Sequence, residues 1–566
     1  MNQDSFLNKR WRILNEDPSL TILERLLHNR GLKTDEEITN FINPSFTKMH
    51  DPYLMDDMAK AVDRIKQAIE SQERIIIFGD YDVDGITATA ILYLLLKKLG
   101  AQVSCRLPDR RQNGYGLNED FIREAKDLDA GLIITTDCGI SCPREVSLAK
   151  ELGIDVIITD HHTVPEEPPA DAVAILHPKM PKSGYPFEEL TGAGVAYKLA
   201  TALIKEMLPI ADQEAECRKF LDLATLGTVA DLGPLVGENR MIVKEGLEQM
   251  KKSHWQGLNE LQRICGIKED EQVHTNHVSF RIAPRLNAAG RIESPYQALK
   301  LFIHEGDKAT EIAEKLELIN RERQRLTEIA LAEAESIVRK QLERDNILIA
   351  YHPNWNSGLI GIIAGKLAGK HGMPTIIMED RGENYVGSAR GPEYYNLVEA
   401  LKSAEKYLKD FGGHVQAAGF TLPKENRDLF IHTMQVHARE FLSKSDNDQE
   451  LKIDTLITHK DITGSLIDQI DTIRPFGQKN DRPLFLLRGV YLQDMRRVGH
   501  DRKHLLGKAK LDTDTYKFIA FNFGEMAKKI PEFTRVDLIC HLDRNTFRGQ
   551  TNIELQVVDM SLAGQE

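Results

Sequence analysis

At 566 residues the chain is several folding units long. It is 41% hydrophobic and 28% charged, with a formal net charge of −13, so it can bury sizeable cores; the acidic balance excludes general coating of nucleic acid but not a local basic groove. There is no apolar run of about 18 residues and no charged-then-apolar leader, and the six cysteines form no C-x-x-C pair; a membrane span, secretion and a zinc site are not expected, and a reducing cytoplasm is.

Residues 1 to about 50 read as a small helical lead-in. From about 55, short apolar runs alternate with helical patterns. RIIIF (74–78), QVSCRL (102–107), GLIITTD (131–137), DVIITDH (155–161) and AVAILH (172–177) read as strands. TATAILYLLLKKLG, LNEDFIREAKDL and REVSLAKELG read as helices between them. Near-continuous apolar strands with helical crossovers predict an α/β fold with a parallel sheet covered on both faces. From about 305 to 345 the pattern becomes one long helix. Its core, from DKATEIAEKLE onward, lacks Gly and Pro, and Ile312, Leu316, Ile319, Leu326 and Ile337 mark an apolar seam. NILIAYHP and PTIIMED then resume the strand–helix alternation. SKSDNDQE reads as a linker near 445, and the short strands beyond it predict a small β-barrel. The expected division is 1–50, 51–304, 305–345 (connecting helix), 346–445 (a second α/β domain) and 446–566.

The predicted strands end in acids. DYDVDG carries Asp80, Asp82 and Asp84, TTDCG carries Asp137, TDHH carries Asp160, His161 and His162, and GTVADLGPL carries Asp231. Sites in parallel sheets collect outside the carboxyl ends of strands. Any one of these aspartates is accounted for by helix capping; four such clusters after buried-strand patterns point to a metal centre. Converging carboxylates repel one another unless cations neutralise them. Mg²⁺ and Mn²⁺ favour carboxylate oxygen, Mn²⁺ also accepts imidazole, and two such ions activate water against a phosphate ester. DYDVD is read as the turn leaving a strand, with Gly85 letting the chain bend into the next helix.

In this order, DYDVDG, TTDCG, TDHH and TVAD resemble the DHH phosphoesterase superfamily. RIAPRLNAAGR (281–291), GLIGIIAGKLAGK (358–370), GSARG (387–391) and FGGHVQAAG (411–419) narrow the resemblance to its bacterial single-strand-specific exonucleases. The resemblance implies a DHH domain, a long connecting helix, a DHH-associated domain and an oligonucleotide-binding (OB) barrel. It implies degradation of single-stranded DNA from the 5′ end to nucleotides, in DNA repair and recombination, with two divalent ions, Mn²⁺ or Mg²⁺. The metal ligands it implies are Asp82, Asp84, Asp137, His161 and Asp231, with Asp137 bridging and Asp80 as a ligand or an outer anchor. His162 would meet the scissile phosphate, and Asp160 would orient the histidines. Relatives acting on small phosphoanhydrides carry a histidine near Phe78, which this chain lacks. A single-stranded-DNA-binding protein and a DNA helicase are the implied protein partners. A monomer is expected.

Several basic stretches are candidate substrate contacts. Arg110 and Arg111 lie in a glycine-containing loop, and RIAPRLNAAGR offers Arg281, Arg285 and Asn287, with one or two of its arginines open to a role as internal salt-bridge partners. Ser388, Arg390 and His414 suggest a second phosphate pocket, which the resemblance assigns to the substrate's terminal phosphate. GLIGIIAGK does not keep the glycine spacing of a P-loop, and Leu367 follows Lys366 where Ser or Thr is needed, so a close-packed helix start is expected there. On the predicted barrel, Arg496, Arg497, Arg502, Lys503, Lys508 and Lys510 would track a phosphate backbone, with some of Tyr491, Tyr516, Phe518, Phe521 and Phe523 stacking bases and the rest in the core. Two other readings stay open: a phosphodiesterase of short oligonucleotides or cyclic dinucleotides, and a non-catalytic DNA-binding replication factor. The basic barrel argues against the first, and the complete set of matched ligands against the second.

Overall fold

A computed structural model describes residues 5–7, 9–108, 116–181, 183–442, 450–499, 502–528, 530–547 and 550–563. The chain forms two compact units. One comprises Met49–Gly233 with Met241–Asn447, and the other Met1–Lys48, Pro234–Arg240 and Asp448–Glu566.

The larger unit begins with a parallel sheet. Its strands are β1 (Arg74–Gly79), β2 (Gln102–Arg106), β3 (Ala130–Thr136), β4 (Asp155–Thr159) and β5 (Ala174–Leu176), in the order β2-β1-β3-β4-β5. These are the five predicted strands, and β1, β3, β4 and β5 end directly before Asp80, Asp137, Asp160 and His177. Ile76, Phe78, Ile133, Val156 and Ile158 pack on Phe121, Ile122 and Val146 from crossover helices. Helix α1 (Val83–Lys98) follows β1 and is buried over its first ten residues, which explains its lack of a polar face. It packs against α2 (Gly192–Met207) and α3 (Leu221–Ala230).

Helix α4 (Ala283–Ile292) leads to α5 (Asp307–Val338), a single helix of 32 residues and about 48 Å. The first part of the expected seam is buried, at Ile312, Leu316 and Ile319. Farther along, Ile337 is 41% exposed, and Ala334 and Val338 face the core instead. At 3.6 residues per turn an apolar stripe drifts round a straight helix, so a seam extrapolated over seven turns misses its face. The helix packs on α4 and also on β6 (Leu348–His352) and α6 (Ser357–His371), so it joins two sheets within one unit. The second sheet adds β7 (Thr375–Asp380), β8 (Asn384–Arg390), β9 (Asp410–His414) and β10 (Ala417–Pro423), in the order β9-β10-β8-β7-β6.

The smaller unit is a closed five-stranded barrel: β11 (Phe485–Val498), β12 (His504–Leu511), β13 (Asp514–Ala520), β14 (Arg535–Phe547) and β15 (Gln550–Leu562). The order is β11-β12-β13-β15-β14, and β14 pairs back to β11. The expected lead-in is part of this unit and is not helical throughout. A strand at Arg10–Ile13 runs parallel to Glu450–Ile453, and Leu26, Leu27 and Phe41 from two short helices enter the barrel's core cluster. Helices of eight residues are marginal alone and need such a surface. Arg240 ties the pieces together. It is 1% exposed, lies 3.8 Å over the Phe41 ring, and donates to the carbonyls of Phe41 (2.7 Å) and Arg474 (2.7 Å).

Arg240→Met keeps the volume but removes these donors. It is expected to destabilise this unit by roughly 2–4 kcal/mol, because buried carbonyls lose their partners. Urea unfolding followed by circular dichroism checks this; an unchanged midpoint contradicts it.

Candidate metal centre

Register builds the site. Gly79 pairs with Thr136, Thr136 with Thr159, and Thr159 with Leu176 across four parallel strands. The next residue of each strand is therefore delivered to one rim: Asp80, Asp137, Asp160 and His177. The amides of the first three continue the ladder, donating to the carbonyls of Thr136 (3.2 Å), Thr159 (2.9 Å) and Leu176 (3.2 Å). Asp137 takes φ +63°, a left-handed conformation that Asp tolerates better than most residues.

Asp82 caps helix α1, accepting from the amides of Asp84 (2.9 Å) and Gly85 (3.1 Å). Gly85 is already in the helix's first turn. It is required by close approach rather than by the expected bend, because a Cβ there would stand 2.7 Å from the Asp80 backbone. Asp84 is 1% exposed and accepts from the amides of Gly192 (2.7 Å) and Ala193 (2.9 Å), at the start of α2. Asp231 follows helix α3, not a strand as expected; the helix brings it in from the side and leaves its side chain 35% exposed. His161 Nε2 lies 3.1 Å from Asp137, 3.7 Å from Asp231 and 3.8 Å from Asp84.

Three overlapping donor sets result: Asp80, Asp82 and Asp137; Asp84, His161 and Asp231; and Asp137, His161 and His162. Within each, the donor atoms lie within 4.8 Å of one another. Burial pushes Asp84 and Asp137 well above the usual carboxylate range, and neighbouring carboxylates add to it. Asp231 is pushed up to about 7 by loss of water and by Asp82. Mutual repulsion of this kind is what divalent cations relieve, and the oxygen-rich donor sets with their imidazoles fit Mn²⁺, while the all-carboxylate set of Asp80, Asp82 and Asp137 also fits Mg²⁺.

The histidines divide. Burial, and then the charge of His162, hold His161 down to about 3, so it is a neutral imidazole with a lone pair to offer. His162 goes the other way. Burial opposes its charge, but the hydrogen bond to Asp160 Oδ1 (2.8 Å) raises it to about 9. Asp160, fully buried, also accepts from the amides of His161 (2.7 Å), His162 (3.1 Å) and Ile140 (3.0 Å). Against the cost of burial, His162 and these amides keep it charged, at about 2.

The second sheet gathers the other motifs. Arg390 and Ser388 face the start of α6, where a Cβ on Gly361 would stand 3.0 Å from Arg390 Nη2 and 3.2 Å from Ser388 Oγ. Arg390 donates to Ser388 Oγ (3.0 Å) and to the Ala389 carbonyl (2.7 Å). Across the strands, Arg390 aligns with Ala417 and His414, and Ser388 with Gly419 and Gly412. His414 thus shares a row with Arg390, beside a row of bare glycine backbone. A chain of close contacts runs from the start of α6 through α4 to Tyr81, next to Asp80. A Cβ on Gly358 of α6 would stand 2.3 Å from the Arg291 carbonyl, and one on Gly290 of α4 would stand 2.8 Å from the Tyr81 carbonyl. GLIGIIAGK is therefore a close-packed helix start, as expected.

Some expected contacts are otherwise engaged. Arg285 pairs with Glu317 on α5 (2.6 Å), while Arg281 is exposed and Asn287 half-buried. Arg497 pairs with Glu525, and Lys508 with Asp494 (2.7 Å). Arg496 and Lys508 line a groove on the barrel with Lys517, Asn545 and Asn552. Lys510, Arg502 and Lys503 are exposed, and Lys510 aligns with Tyr491. Of the candidate stacking residues, Phe518 and Phe523 are buried, while Tyr491 (43%) and Phe521 (45%) are exposed. Arg110, Arg111 and Tyr115 lie outside the described residues. Sequence reasoning missed Gly192, Ala193, Gly227, His177 and Lys517. A Cβ on Gly227 would stand 2.4 Å from Asp84 Oδ1, and TGAG (191–194) was the one visible sign of a helix start there.

Comparison with known proteins agrees with this architecture. The model of the DHH family N-terminal domain matches residues 74–228, that of the DHHA1 domain residues 344–440, and that of the RecJ OB domain residues 453–559. The chain is 37% identical over 545 residues to the single-stranded-DNA-specific exonuclease RecJ of Bacillus subtilis, across 96% of this chain and 68% of that one. The chain belongs to the RecJ family. RecJ of Dickeya dadantii is 30% identical over 95% of both chains. The crystal structure of Thermus thermophilus RecJ in complex with Mn²⁺ superposes with a TM-score of 0.82 at 30% identity, covering 98% of this chain and 80% of that one. A second RecJ structure, bound to manganese, gives 0.59 at 33% identity over 69% of this chain and 97% of that one.

Two outcomes follow from the repulsion at this rim. Asp137→Asn keeps the left-handed backbone and removes one charge. The folded carboxyl is raised, so it favours folding at low pH and loses that contribution as pH rises through its folded value. The metal-free variant is therefore expected to melt a few degrees above the metal-free parent at pH 8, with the gap closing toward pH 4, and to lose Mn²⁺ binding. Scanning calorimetry across pH tests this; a lower melting temperature at pH 8 contradicts it. Mn²⁺ uptake by the parent should also release protons, and its apparent affinity should rise with pH as the raised carboxyls of Asp84, Asp137 and Asp231 ionise. Titration calorimetry in buffers of different ionisation enthalpy reads the proton release directly.

Proposed function

We propose that this chain is a divalent-metal-dependent exonuclease that degrades single-stranded DNA from 5′ to 3′, hydrolysing phosphodiesters to nucleotides in DNA repair and recombination. The observation that carries the reading is the set of overlapping carboxylate–imidazole clusters at the ends of adjacent strands. Asp80, Asp82 and Asp137 would hold one cation and Asp84, His161 and Asp231 the other, with Asp137 between them. Two bound cations, Mn²⁺ or Mg²⁺, supply activation of water and neutralisation of phosphate charge.

The protein's own groups do the rest. Asp160 holds His162 as a cation, suited to meet the scissile phosphate. The amides of Gly192 and Ala193 orient Asp84 and favour its charged form despite burial. On the second sheet, Ser388, Arg390 and His414 would receive the terminal phosphate, with glycine backbone beside them to admit the strand. Contacts from Tyr81 through Gly290, Arg291 and Gly358 to the start of α6 support one continuous cleft between the two sites. A terminal grip at one end and hydrolysis at the other make an exonuclease with a direction. The barrel, with Arg496, Lys508 and Lys517 on one groove, would bind the downstream strand and favours this reading over one of dinucleotide substrates. A single-stranded-DNA-binding protein and a helicase fit this reading as partners of a monomeric cytoplasmic enzyme.

Single-stranded DNA labelled at either end in turn, with Mn²⁺ or Mg²⁺, tests the activity and its polarity. Release of label first from the 3′ end, or no cleavage, defeats the reading. Arg390→Ala is expected to keep metal binding but to lose preference for 5′-phosphorylated over 5′-hydroxyl ends, since a guanidinium binds phosphate at two points. Equal preference to the parent, with a lowered melting temperature, would make Arg390 a structural residue.

A further inference from the structure

The fourth strand of the rim also delivers a residue, and it leads to a cation. His177 follows β5 as Asp80, Asp137 and Asp160 follow their strands, and it is 1% exposed. Its Nδ1 accepts the Lys179 amide at 3.1 Å. An amide N–H only donates, so Nδ1 carries the lone pair and Nε2 the proton; Nε2 donates to the His162 carbonyl at 2.8 Å. One neutral imidazole thus fixes the HPK turn (177–179) against the backbone of the His161–His162 pair.

Lys179 leaves this turn exposed, and its ammonium donates to the His161 carbonyl at 3.1 Å. One carbonyl takes one of three N–H groups. Among the described residues Lys179 forms no ion pair, although its charge acts on both His161 and Asp231. A lysine seated beside a carboxylate cluster without closing onto any one carboxylate is placed for an anion that arrives with the substrate. Its flexible four-carbon stem and strongly hydrated point charge suit a phosphate oxygen. We infer that Lys179 binds a non-bridging oxygen of the scissile phosphate and stabilises charge developing there, and that His177 is the residue that positions it. The inference rests on the nuclease reading above.

The test compares the full-length parent with Lys179→Ala and Lys179→Arg on a 5′-phosphorylated single-stranded oligonucleotide with Mn²⁺. Steady-state kinetics, Mn²⁺ affinity by calorimetry and melting temperature are measured together. Lys179→Ala is expected to lower kcat by about 100-fold, the scale of one lost donor to a developing anion. Mn²⁺ affinity and melting temperature should match the parent, and Lys179→Arg should recover at least part of kcat. His177→Ala should lower kcat in the same way, with Lys179→Ala adding little on top of it. Unchanged kcat in Lys179→Ala overturns the inference. So does a fall in Mn²⁺ affinity as large as the fall in kcat, which would make Lys179 a brace for His161. If the parent itself leaves DNA intact, it is the nuclease reading that fails. Inorganic phosphate titrated into the Mn²⁺-loaded protein then decides for Lys179: weaker binding by Lys179→Ala supports it, and equal binding overturns it.

Discussion

Everything at the carboxylate rim depends on like charges held close by a rigid sheet. Parallel pairing in register places Asp80, Asp137 and Asp160 one strand apart, and hydrogen bonds from their own amides leave them no freedom to separate. Asp82, Asp84 and Asp231 come to the same place from two helix termini. In water such a group would spread out. Here the backbone forbids it, and the energy stored in repulsion becomes affinity for divalent cations.

Neighbouring groups sort these acids into different roles. Asp160 is as buried as Asp137, yet it stays charged because three amides and a protonated histidine face it. Asp137 is surrounded by carboxylates and is driven the other way. The adjacent histidines split for the same reason, His161 neutral and His162 cationic. One short loop thereby holds a neutral imidazole beside an imidazolium. The glycines around the rim are small for a steric reason. At positions 85, 192 and 227 a Cβ would fall within about 2.7 Å of Asp80, Asp137 or Asp84.

The long helix explains how the second lobe is set. It packs on α4 and on β6 and α6 of the second sheet, so Arg390 and the glycine rows are held by a rigid strut rather than by a loose tether. The smaller unit follows a different logic. Its N-terminal helices are too short to stand alone, and they contribute side chains to a barrel encoded more than 400 residues later.

The sequence by itself determined the local chemistry. Apolar runs ending in acids marked the strands and their acidic ends, the gap-free helical pattern marked the long helix, and alternating short runs marked the barrel. These are signals of period and punctuation, carried by neighbouring residues. Tertiary structure alone decided what depends on residues far apart in the chain. It brought the start of α2 onto Asp84 across 108 positions, brought Asp231 in on a helix, turned Arg285 toward Glu317, and placed His177 in line with Asp80, Asp137 and Asp160. No local pattern encodes such pairings, because register between strands and contact between helices are properties of the packed whole.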